Sequence, residues 1–257
     1  MMPSKRRVIS VSGKGGTGKT TLTALLLKAL IRHTDDILVV DADPATNLPD
    51  VLGVKVLKTV GMVTDELKDR IARGVISPMV SKEGMLEAWI FETLVETNCF
   101  DLLAMGRSEG EGCYCYVNSV LTRILDTLSR NYTYTLMDME AGLEHLSRRT
   151  DRDVDTMLIT TDASKMGLET ARRIKELTQE VHINVKEIYL VGNQIPEGME
   201  GVLKEAAERI GLELIGIIPT DPNVATYNML GKPLLEIPED SPSYRAVLKI
   251  AEKIGLR

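Results

Sequence analysis

One octapeptide constrains this chain more than any other feature. Gly13-Lys14-Gly15-Gly16-Thr17-Gly18-Lys19-Thr20 follows a short apolar run and opens an amphipathic stretch, so G-x-x-x-x-G-K-[ST] stands in the context of strand, loop and helix. The glycines let the backbone curl until successive N–H groups face one anion at a helix N-terminus. Lys19 supplies a point charge to β- and γ-phosphates, and the Thr20 hydroxyl is placed to ligate Mg²⁺.

Beyond the loop, short β-branched runs alternate with longer amphipathic stretches, the pattern of parallel βα units. Strands are expected at 7–12, 37–41, 101–105, 133–138, 156–160, 187–192 and 213–218, with nearly continuous apolar character, as for strands covered on both faces. Helices are expected at 19–33, 118–130, 165–181, 198–211 and 241–255, the last with Ser241 as N-cap and Pro242 at the first helical position. Residues 53–99 have mixed polarity and read as a helical insertion rather than a second domain. The expectation is one α/β domain over 1–257, a doubly wound, mostly parallel seven- to eight-stranded sheet with helices on both faces.

Composition narrows the function classes. The chain has 257 residues, 44% hydrophobic and 26% charged, which argues against long-range disorder. A net charge of −6 speaks against a general nucleic-acid binder, and aromatics at 4% leave the core to Ile, Leu, Val and Met. No apolar run approaches the ~18 residues of a membrane-spanning helix. The basic start Met1-Met2-Pro3-Ser4-Lys5-Arg6-Arg7 leads into a strand with no signal-peptide apolar region, so a cytoplasmic protein is expected.

Two carboxylate clusters and a cysteine pair carry further chemistry. Asp41-Ala42-Asp43-Pro44-Ala45-Thr46-Asn47-Leu48 ends the second strand, where open α/β sheets bind ligands, and Asp43 could orient an attacking water or hold Mg²⁺ through water. Asp138 closes another apolar strand. In extended backbone Cys113 and Cys115 of Gly112-Cys113-Tyr114-Cys115-Tyr116 would project to one side, so that both sulfurs could meet one ion; a pair of buried or free thiols with no ligand is the other reading. Two thiolates do not complete a tetrahedral soft-metal site, and no His or Cys stands nearby in sequence; a symmetric dimer would gather four sulfurs.

Lys14, which the basic motif does not require, resembles the second loop lysine of the deviant Walker A in the MinD/Mrp/ArsA and nitrogenase iron-protein group of dimerising ATPases. That resemblance implies an ATP hydrolase in which Lys14 reaches the partner subunit's phosphates. It makes Lys14, Lys19 and Asp43 catalytic, with Asp43 in switch I, and Thr20, Asp43 and Asp138 the Mg²⁺ residues, with Asp138 as the Walker B carboxylate. Gly13, Lys14, Gly15, Gly16, Thr17, Gly18, Lys19, Thr20 and Thr21 would bind the nucleotide phosphates, while Asn193, Pro219 and Asp221 resemble base contacts; Asn193 also suits a plain turn.

The Cys-x-Cys loop, with Asp138-Met139-Glu140-Ala141-Gly142-Leu143-Glu144-His145, is similar to the CooC family of nickel-insertion ATPases. The likeness implies ATP or ADP, Mg²⁺, and Ni²⁺ or Zn²⁺ on Cys113 and Cys115 at a homodimer interface. Carbon monoxide dehydrogenase would be the metal acceptor, with neither nucleic acid nor membrane as partner; acetyl-CoA synthase maturation uses closely similar ATPases. Glu144 and His145 read as structural. The rival readings are a MinD/ParA-like positioning ATPase on a membrane surface or DNA, and a nucleotide-sensing regulator with structural zinc.

Overall fold

A computed structural model of the chain describes residues 6–77, 81–107, 127–140, 153–180 and 184–256. The strands are β1 (Arg7–Gly13), β2 (Ile37–Asp41), β3 (Val95–Glu96), β4 (Asp101–Ala104), β5 (Tyr134–Asp138), β6 (Asp153–Thr161), β7 (Asn184–Asn193) and β8 (Glu213–Ile218). The helices among the described residues are α1 (Lys19–Leu30), α2 (Leu48–Leu52), α3 (Val60–Ala72), α4 (Lys82–Phe91), α5 (Lys165–Glu180), α6 (Glu200–Arg209), α7 (Pro222–Leu230) and α8 (Pro242–Lys253).

The strands form one sheet in the order β3-β4-β2-β5-β1-β6-β7-β8, parallel throughout except for the β3–β4 pair. The doubly wound α/β fold expected from the sequence is the one observed. From β1 the chain moves past β5 to β2 and β4, returns to β5, and then crosses to β6 on the other side of β1. Strand order therefore reverses around the end of β1, the place where such sheets bind ligands.

Period-two alternation sorts the strand residues between two faces. On β2, Leu38 and Val40 face one core with Met137, Met157 and Ile159, while Ile37 and Val39 face the other with Ile9, Val11 and Leu158. The first face is covered by α3, α4, α5 and α6. The second takes α1, whose Leu22, Leu25, Leu26, Leu27 and Leu30 are all buried, and α8. Each such leucine contributes about 1.5–3 kcal/mol by leaving water. The apolar stripe of α8, with Tyr244, Val247, Ile250 and Ala251 buried, packs on β8 and α1. Lys28 locks that corner: its ammonium lies 5.0 Å from the Tyr244 ring centre and donates to the carbonyls of Leu235 at 2.9 Å and Ile237 at 2.8 Å.

Differences from the sequence reading lie in short elements. β3, α2 and α7 were not expected, and β6 and β7 run longer than 156–160 and 187–192. Residues 53–99 contain α3, α4 and β3, so this stretch is helical but also supplies the antiparallel edge of the sheet. Of the 118–130 helix only 127–130 is described, with 127–129 helical. Cys113, Cys115 and residues 141–145 lie outside the described residues. Among the described residues no helix is long and apolar enough to cross a membrane.

Candidate nucleotide site

The loop after β1 is built as a cradle. Gly16 and Gly18 hold φ of 81° and 82°, a left-handed region that disfavours residues with a Cβ. At Gly18 a Cβ would lie 2.0 Å from the Asn193 amide nitrogen, and at Gly13 one would lie 2.4 Å from the Thr160 carbonyl and hydroxyl oxygens. A Cβ on the exposed Gly15 meets nothing within 4 Å. Thr17 fastens the loop to the sheet: its hydroxyl donates to the Lys14 carbonyl at 2.7 Å and meets the Thr160 hydroxyl at 2.8 Å. Asn193, 5% exposed at the end of β7, donates through Nδ2 to the Thr17 carbonyl at 2.8 Å. Its amide nitrogen thus shapes the phosphate loop.

Lys19 begins α1 and is buried, with its ammonium 3.5 Å from the Lys14 carbonyl. One residue on, the Thr20 hydroxyl donates to Asp138 Oδ2 at 2.7 Å, joining the loop to the end of β5. Thr23 adds a longer bond of 3.4 Å to Asp138 Oδ1. Asp138 is 1% exposed, and burial pushes its carboxyl up to about 6, assisted by the charge of Asp43 and opposed by the Thr20 bond and the Lys19 charge. Asp41 stands opposite Asp138 in the β2–β5 register. Burial raises its carboxyl further, to about 7, with repulsion from Asp138 adding to the effect.

Asp43 is half-buried at the mouth of this pair, and its Oδ1 accepts the Ala45 N–H at 2.9 Å. The same turn holds Thr46 at φ 52°, a left-handed conformation that costs on the order of 1–3 kcal/mol for a β-branched residue. Among the described residues no group of three or more His, Cys, Asp or Glu side chains is arranged to hold a metal ion. One hydroxyl, one buried carboxylate and one half-buried carboxylate are instead the sparse hard-oxygen set that suits Mg²⁺, which keeps several waters and takes phosphate oxygens for the rest. Thr20, Asp138 and Asp43 would hold it, and it would neutralise charge between the phosphates.

Other candidates are more scattered. Lys14, about one-third exposed, pairs with Asp162 at 3.5 Å, just beyond β6. Asp162 is held below the usual carboxylate range: burial raises it, but the Ser164 hydroxyl and N–H and the Lys14 charge together outweigh that. Thr21 is half-buried in the first turn of α1. Pro219 and Thr220 line an open groove of ≈ 910 Å³ beside β8, together with Pro196 and Arg245. Asp221 is buried and fully engaged by protein: its carboxylate accepts the Asn223 N–H at 2.8 Å, the Ser243 N–H at 2.9 Å and the Ser241 hydroxyl. It caps α7 and braces the first turn of α8, whose own cap is Ser241, and those bonds, outweighing burial, keep its carboxyl low. Asp41 and Thr160 were missed as candidates; the Thr-Thr end of β6, set against Gly13 in the register, was the available signal for the second.

The description of nucleotide-binding domains of the CobQ/CobB/MinD/ParA type matches residues 8–234. The chain belongs to the CobQ/CobB/MinD/ParA family. Within it, an uncharacterized ATP-binding protein of Methanocaldococcus jannaschii is 51% identical over 96% of this chain and 98% of its own length. The carbon monoxide dehydrogenase accessory protein CooC of Rhodospirillum rubrum is 28% identical over 87% of each. The septum site-determining protein MinD of Pyrococcus horikoshii, solved with Mg-ADP, has the same fold: TM-score 0.69 at 22% identity over 97% of this chain and 96% of that one. For a CobQ/CobB/MinD/ParA domain, a pre-curled glycine loop, a buried lysine and a hydroxyl–carboxylate bridge at one strand-end crevice are what an Mg²⁺–nucleotide requires.

Proposed function

We propose that this protein is a dimerising ATPase that binds a soft divalent metal through Cys113 and Cys115 and assists nickel insertion into carbon monoxide dehydrogenase. The observation that carries the reading is the position of β2 between β4 and β5. β2 leads into Asp43, and the chain between β4 and β5 contains the Cys-x-Cys pair. The backbone bond from Met105 N–H to Asp41 O, 2.8 Å, ties the nucleotide strand to the start of that segment, and Ala42 N–H to Asp138 O, also 2.8 Å, ties it to the end of β5. A change around Asp43 is therefore communicated through Asp41 to Met105, which precedes Cys113 by eight residues in the sequence.

ATP as the nucleotide is supported by the name of the M. jannaschii relative and by the loop itself. In the reaction, Lys19 and the loop N–H groups hold the phosphates, Lys14 leaves Asp162 to reach the partner subunit's nucleotide, and Asp43 orients the attacking water. Mg²⁺ shields the phosphate charge when bound. The whole of 1–257 acts as one ATPase domain in the cytoplasm. Four thiolates from two chains would clasp Ni²⁺ or Zn²⁺. A membrane-positioning role would need a free basic amphipathic helix, and α8 spends its apolar stripe on β8 and α1.

The test is reactivation of nickel-free carbon monoxide dehydrogenase by Ni²⁺ with this protein, with and without Mg-ATP. Acceleration that requires ATP and is lost in Cys113→Ser is expected. No acceleration, alongside ATP-dependent sedimentation with anionic liposomes or DNA, would move the assignment to the positioning class.

A further inference from the structure

The loop between β2 and α2 presents Asp43, and its shape is set from inside the protein by Asp41. The Asp41 side chain has no solvent exposure. Its Oδ1 accepts the Asp43 N–H at 3.1 Å, and its Oδ2 accepts the Leu48 N–H at 3.1 Å. One carboxylate thus grips the start and the end of the same loop. At the near end, Asp41 onto Asp43 and Asp43 onto Ala45 form two consecutive turns in which an aspartate accepts the N–H two residues on. At the far end, α2 receives no cap from its own Asn47 side chain, so the Leu48 bond anchors a terminus that its local sequence leaves open. Between the two anchors sits the left-handed Thr46, a conformation that persists only where neighbours over-determine it.

We infer that Asp41 is a positioning residue for ATP cleavage: both its oxygens are engaged by the loop backbone, and it fixes the backbone from which Asp43 reaches the attacking water. This deepens the ATPase reading and rests on it. Two oxygens with two separate duties explain why the position needs a carboxylate. An asparagine keeps one carbonyl oxygen but turns an NH₂ towards the other backbone N–H, donor against donor. A loop released at one end moves Asp43 by a fraction of an ångström to an ångström, which is enough to cost roughly 10- to 100-fold in the chemical step. Lys19, Thr20, Asp138 and the glycine loop are untouched, and Asp43 would meet Mg²⁺ only through water, so nucleotide affinity should hold within a few-fold.

The experiment compares Asp41→Asn with the unaltered protein in steady-state ATP hydrolysis and in ADP binding. The expected result is a kcat lower by roughly 10- to 100-fold with KM and the ADP Kd within about threefold. Unchanged kcat, or kcat and affinity falling in parallel, would overturn the positioning role. Amide hydrogen exchange on the unaltered protein gives a second reading should the variant fail to fold: the Asp43 and Leu48 N–H groups are expected to be protected, and exchange at open-loop rates would overturn the inference. An unaltered protein without ATP hydrolysis would instead remove the ATPase reading itself.

Discussion

At the scale of single residues, the site is an arrangement of carboxylates raised by burial beside one buried lysine. Asp41 at about 7 and Asp138 at about 6 hold protons in the folded state over a range where the unfolded chain, near 4, has released them. The folded state then binds more protons than the unfolded one between about pH 4 and 7, so this pair's contribution to stability is complete below that window and declines as pH rises through it. Chemical denaturation of nucleotide-free protein should show the decline, at up to about 1.4 kcal/mol per pH unit for each unmatched proton. Asp41→Asn should flatten the slope, and an equal slope in both proteins would contradict the raised Asp41. The strand-end placement of Lys19, Thr20, Asp43 and Asp138 was legible because each follows or closes an apolar run, and the sheet sets β2, β5 and β1 side by side. Asp41 was visible in the same string, but its second partner, Leu48, is found only once the loop has closed.

At the scale of elements, the parallel strands were legible wherever an apolar run was long enough to be buried on both faces. β3 has two residues and pairs antiparallel, below what alternation can reveal. The helices α2 and α7 were illegible for a related reason: α2 is held by the distant Asp41, and α7 carries no buried residue although Asp221 caps it. The loop-to-α1 junction offers a sharper test. In Gly18→Ala, a Cβ at φ 82° would collide with the Asn193 amide that holds Thr17, so nucleotide-free stability should fall by about 1–3 kcal/mol in urea unfolding. Gly15→Ala meets open space and should stay within about 0.5 kcal/mol in the same measurement, yet weaken ADP binding by calorimetry. Equal stability losses in the two variants would mean that the loop is shaped by the nucleotide rather than by the sheet.

At the scale of the whole molecule, the fold gathers the nucleotide chemistry on one strand-end edge and makes β2 the neighbour of both strands that bracket the cysteine segment. The doubly wound architecture followed from alternating patterns spread along the chain. The place of β2, early in the chain, between β4 and β5 did not, because strand order is a tertiary fact. A symmetric pair of chains sharing one soft ion through four sulfurs, closed under ATP, is the central claim. Gel filtration with metal analysis on each peak, with and without Mg-ATP and Ni²⁺ or Zn²⁺, tests it most directly. The account predicts a two-chain species carrying one ion that disappears in Cys113→Ser; a one-chain species, or metal content indifferent to that substitution, would contradict it.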